Sequence, residues 1–172
     1  FERTWGMAPS QYALINGLLL LCLGPISNNT AGWLADYLRK KGYEDGGLRV
    51  VILGAIILVP TAIIAPLMPN PTVCFVLLGI NLIGIAFTSS SALIALLRIV
   101  PSNIKGVSVA FYLMCISITG LLLGPTAIGI LNDYVFGVEG VRYSMALVPF
   151  ILGVPVLLMI PFMRKRYLKE LK

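Results

Sequence analysis

The densest grouping of residues able to do chemistry is Gly32-Trp33-Leu34-Ala35-Asp36-Tyr37-Leu38-Arg39-Lys40-Lys41-Gly42. Gly32 lets a second helix cross closely, and Asp36 follows one helical turn later. Its carboxylate can pair with the cations that follow, or meet the exposed N–H groups at the start of a neighbouring helix. Either contact could hold one conformation and break in another, and Gly32, Asp36, Arg39, Lys40 and Gly42 are the residues assigned to that gating role. A fixed anchor is the plainer alternative. A second grouping is Gly120-x-x-x-Gly124-Pro125-x-x-x-Gly129-x-x-x-Asp133, which gathers small residues and a proline along one apolar run and reads as packing or a hinge. A third is a scatter of neutral polar residues inside apolar runs: Asn16, Asn29, Asn81, Ser89, Tyr112, Ser117 and Thr119. They could line a cavity that hydrogen-bonds an amphipathic solute, or they could bond between helices, and both readings stand.

The residue types also exclude chemistry. There is no histidine, which removes the commonest metal ligand and general base. Cys22, Cys74 and Cys115 lie inside apolar runs without paired spacing and read as small packing residues. Asp36, Asp133 and Glu139 are divided between two ends of the chain's apolar segments, so no convergent acids support catalysis. No catalytic residue, metal or cofactor is expected. Asn28-Asn29-Thr30 matches a glycosylation signal, but it sits inside an apolar run.

The elements that must position these groups follow from composition. The chain has 172 residues, 58% hydrophobic and 12% charged, and a mean hydropathy of +0.94. A soluble domain carries about 25% charged residues. Half that charge cannot clothe a surface in water, so lipid must supply the solvent. Five apolar runs approach or exceed the ~20 residues needed to span a bilayer: Gln11–Tyr37, Val50–Met68, Thr72–Leu97, Gly106–Tyr134 and Tyr143–Met163. None alternates in polarity as a membrane barrel strand would. The expected fold is an all-α membrane protein, a transmembrane helix bundle of about five spans forming one domain over residues 1–172. Lys41–Gly47, Pro69-Asn70-Pro71, Pro101-Ser102-Asn103 and Phe136–Gly140 separate the runs, and Ser10 could cap the first.

A net charge of +6 could suggest nucleic acid, but the cations flank apolar runs, so none is expected as a partner. Arg39, Lys40, Lys41, Arg49, Arg98, Lys105, Arg164, Lys165, Arg166, Lys169 and Lys172 gather at one end of the spans, against Arg3 and Arg142 at the other. The crowded end should be cytoplasmic, with the C-terminus inside. Arg164-Lys165-Arg166 reads as an anchor on anionic headgroups. No signal peptide is expected before the first run, and an odd number of spans would fit a chain missing its beginning.

Gly32-x-Leu34-Ala35-Asp36 followed by basic residues resembles the loop signature of the major facilitator superfamily. Gly120-x-x-x-Gly124-Pro125 resembles the glycine–proline pattern on that family's fifth and eleventh helices. Pro101-x-x-x-Lys105-Gly106 is similar to the motif preceding it, with lysine for arginine. On this resemblance the five spans are helices eight to twelve of a twelve-helix transporter, and the stretch from Gly124 to Ser144 is most similar to bacterial Spinster-like members. The resemblance implies a secondary transporter in the plasma membrane (the bacterial inner membrane). It would work by alternating access on a small organic, amphipathic or lipid-like substrate, with an N-terminal half supplied by the same or another chain. Apart from the resemblance, two other classes stay open. A non-catalytic scaffold or channel subunit is one, although no filter loop is present. An intramembrane lipid-modifying enzyme is the other, and it lacks convergent acids.

Overall fold

The computed structural model describes residues 1–137 and 140–170, with the side chains of Arg3, Thr4 and Glu170 left aside. All its regular structure is helical. Among the described residues, five helical segments are long and apolar enough to cross a membrane: Pro9–Lys40, Gly46–Leu67, Pro71–Ile99, Ser102–Phe136 and Val141–Lys169, called spans one to five below. A short helix, Glu2–Trp5, precedes them and closes on Gly6 in the left-handed conformation. Helix is the form that lets a single segment satisfy its own backbone polar groups in lipid.

The ends depart from the sequence expectation in informative places. Span one starts at Pro9, whose missing N–H is no loss at the first helical position, and Ala8 rather than Ser10 holds the cap position. Pro25 lies inside it without ending it. Span two finishes in a tight turn of helix, Ala65–Leu67. Asn70 then caps span three by accepting the Thr72 N–H at 2.8 Å, with Pro71 at the first position. Span four is not one uniform helix. Its α-helical pieces, Lys105–Ser117 and Gly124–Leu131, alternate with wider π-helical turns at Ile118–Leu123 and Asn132–Phe136. Span five continues past Met163 to Glu170 and carries its basic cluster in its last turns. Val138 and Glu139 of the loop before span five lie outside the described residues.

Spans two and three form the tightest pair. Two glycines make that crossing possible. A Cβ on Gly54 would stand 2.6 Å from the Thr88 hydroxyl and 2.8 Å from the Thr88 amide. A Cβ on Gly84 would stand 2.8 Å from the Leu58 amide. Both contacts are impossible for a real side chain, so the two backbones touch where these residues meet. Span one lies against both helices, and Ala31, Ala35, Val50 and Phe87 form the buried core there. Span five packs on the other side of span two, with Gly153 over Val59. Span four stands at the edge, and no residue of its most apolar stretch is buried.

Candidate functional site

The residues assigned to gating lie at the end of span one and stay outside the packed core. Asp36 is exposed, and its partner is Arg39 on its own helix at 3.1 Å. Both side chains are more than half exposed, so the pair contributes little to stability. Lys40 is exposed, Lys41 sits over the Tyr37 ring at 4.7 Å, and Tyr37 stacks on Trp33. Gly42 turns the chain with φ 90°. At Gly32 the space where a Cβ would stand is open, with nothing within 4 Å. The latch therefore has no counterpart within this chain among the described residues.

The charged node that the structure does build is Asp45, three residues after Gly42. It is 2% exposed. Its Oδ1 accepts the Arg49 Nε–H at 2.8 Å, and its Oδ2 accepts the Arg164 Nε–H at 2.6 Å. Arg49 comes from the first turn of span two and also lies over the Tyr43 ring at 3.8 Å. Arg164 comes from the far end of span five, 119 positions along the chain. Burial pushes the Asp45 carboxyl up, but the hydrogen bonds and charges of Arg164 and Arg49 outweigh it and hold the group below its ordinary value. Two further bonds extend the node. Arg98, at the end of span three, donates to the Glu44 carbonyl, and the Tyr167 hydroxyl of span five donates to the Ala95 carbonyl at 3.2 Å. The basic ends of spans two, three and five and the loop after span one are thus fastened together.

This node was missed in the sequence because Asp45 sits in a glycine-rich loop that reads as solvated, and because Arg164 belongs to a basic run that reads as a headgroup anchor. Arg164 turns inward instead. The available signal was the i, i+4 spacing of Asp45 and Arg49 at a helix start, where an acid also suits the dipole.

The neutral polar residues divide into two groups. Asn81 bonds between helices: its amide donates to the Leu58 carbonyl at 3.1 Å and to the Thr61 hydroxyl at 3.0 Å. Tyr112 donates to the Ser89 carbonyl at 3.3 Å and fastens span four to span three. Asn29 and Thr119 bond only to carbonyls of their own helix and remain exposed. Ser117 is exposed, Asn16 is half-buried, and Ser89 is exposed with a long bond to Ala86. Asn28, next to Asn29, accepts from the Ser90 hydroxyl and so joins spans one and three. Replacing Asn81 with leucine should lower stability by about 1 kcal/mol, the usual scale for a bond between membrane helices. Thr61 would keep its own bond to Ile57, so no orphan group is left. Unfolding of the variant in mixed micelles by a denaturing detergent checks the value.

Among the described residues nothing lies within 4 Å of a Cβ position at Gly120 or Gly129, Pro125 is exposed, and Gly124 has only the Thr119 carbonyl near it at 3.7 Å. Asp133 is exposed on the second π-helical segment. Cys74 is buried as a packing residue, whereas Cys22 and Cys115 are exposed. Among the described residues no group of three or more Cys, Asp or Glu side chains could hold a metal ion. Compared with known proteins, the chain matches no family model, no curated protein and no solved structure.

Proposed function

We propose that this chain is the C-terminal part of a secondary transporter that moves a small organic, amphipathic or lipid-like molecule by alternating access. The observation that carries the reading is the exposure of neutral polar residues on spans one and four. Asn29, Ser117 and Thr119 stand exposed within helices that cross a membrane, beside Gly17, Gly32, Gly120 and Gly129 with open space at each Cβ position. Neutral polar groups and small residues at that depth suit a second helix layer and a wet cavity better than lipid tails. The complementary layer would be the N-terminal half that the motif resemblance implies, with substrate bound between the halves near the bilayer midplane.

Each feature then has a part in the cycle. The Asp45 node ties spans two, three and five at the basic end, so these three move together. Asp36 projects from span one without an interhelical partner and is placed to meet a helix start in the other half, closing the cytoplasmic side. The π-helical turns around Gly120 and Gly124 weaken span four locally, which is where a rocking half would bend. No Asp, Glu, Lys or Arg lies mid-span, so any coupling to protons would come from the other half.

Asp36→Asn removes the charge and keeps the shape. With both halves reconstituted in proteoliposomes, the initial transport rate should fall roughly tenfold, the scale of a 1–3 kcal/mol conformational coupling, with membrane insertion unchanged. The assay is counterflow of labelled alkyl amines, alkyl carboxylates and lysolipids. A variant that transports at the normal rate would remove Asp36 from the gate.

A further inference from the structure

We infer that the end of the bundle opposite the basic cluster holds a binding site for a small organic anion with a flat apolar body. A cavity of about 430 Å³ opens there, within the size range of small-molecule sites. The short N-terminal helix roofs it, and the ends of the spans wall it. Phe1, Trp5, Met7, Tyr12, Leu78 and Met145 give it an aromatic and thioether lining. The lining is held in place by its own contacts. Phe1 stacks on Tyr12 at 4.7 Å and on Phe75 at 4.6 Å, and the Trp5 indole donates to the Pro69 carbonyl at 2.8 Å. Such walls suit a planar ring, which can stack without ordering a flexible chain.

Arg142 supplies the charge. It lines the cavity from the first turn of span five, where the positive end of the helix dipole disfavours a cation and favours an anion beside it. One Nη2–H donates to the Leu67 carbonyl at 2.8 Å, which fixes the guanidinium. Its Nε is buried and bonded to no described residue. The Nη groups, rather than the sealed Nε, would meet a carboxylate, phosphonate or sulfonate in a charge-assisted contact. Among the described residues Glu2 is the other charged lining residue, and it is exposed, so solvent screens it.

The site carries its own reporter. The chain has two tryptophans, so Trp33→Phe leaves Trp5 in the wall as the sole indole. The variant is placed in nanodiscs of zwitterionic lipid and titrated with a bromonaphthalene carboxylate, whose heavy atom quenches Trp5, and with the neutral amide of the same ring. The carboxylate should bind roughly tenfold tighter than the amide, as expected for one charge-assisted contact. Arg142→Gln should bring the carboxylate to the amide's affinity, and Glu2→Gln should leave it unchanged or slightly tighter. Equal quenching by acid and amide would overturn the proposal, and so would an unchanged affinity in Arg142→Gln. Should Arg142→Gln fail to fold, the comparison of acid with amide on intact Arg142 still decides.

Discussion

Asp45→Ala should destabilise the protein by about 2 kcal/mol. Removing one member of a fully buried ion pair costs about 3–5 kcal/mol, because the partner is left charged and unpaired. Here Arg49 and Arg164 are 33% and 41% exposed, so water recovers part of the loss. Asp45→Asn should cost less, since an amide oxygen can still accept one guanidinium bond. Thermal unfolding in detergent at neutral pH would rank the three proteins. The same node sets an acid limit. Burial alone would raise the Asp45 pKa, but Arg164 and Arg49 bring it below the ordinary value of 3.8. A carboxyl whose folded pKa is depressed contributes stability above its unfolded value and loses it as pH falls through the folded value. The wild type should therefore hold its melting temperature down to about pH 4, near the unfolded carboxyl value, and lose it below. Asp45→Asn should show a shallower fall over the same range. Parallel curves for the two proteins would mean that the node does not carry the acid sensitivity.

Gly54→Val and Gly84→Val should be more severe still, about 3 kcal/mol or more each, at or beyond the upper end for overpacked interiors. The obstacle at Gly84 is the Leu58 backbone, which cannot rotate aside as a flexible side chain would. The expected readout is loss of monodisperse protein on extraction, with span insertion retained. Gly120→Ala is the control. Nothing lies within 4 Å of its Cβ position, so this chain should tolerate it. Tolerance at Gly54 or Gly84 equal to that at Gly120 would contradict the crossing described.

Much of the fold is legible in the sequence, because the membrane requirement is a strong one. Low charge and five long apolar runs lead to five helices, and Pro69-Asn70-Pro71 and Pro101 mark turns that the structure keeps. The ends were less readable. Helices continued beyond the apolar runs through Arg39 and Lys40, and through Arg164 to Glu170, because charged residues form good helices once they leave the lipid. The π-helical turns of span four have no periodic signature, since they depend on a single extra residue per turn. The site was legible unevenly. Asn81 and Tyr112 were visible as polar residues in apolar runs, but whether they bond to a helix or face a cavity depends on rotation about the helix axis, which weak apolar periodicity does not set. The Asp45–Arg164 pair joins residues 119 apart, and no local pattern encodes it.

The most direct test of the proposed function is the wetness around Asn29 and Ser117. Asn29→Cys, Ser117→Cys and, as a lipid-facing control, Leu158→Cys would be made singly after replacing Cys22, Cys74 and Cys115. Leu158 is 76% exposed on span five. Each variant would be treated in native membranes with a charged, water-soluble thiosulfonate reagent. A transporter cavity predicts rapid modification at positions 29 and 117 and almost none at 158. Modification at positions 29 and 117 as slow as at 158 would place both positions in lipid and contradict a wet cavity there.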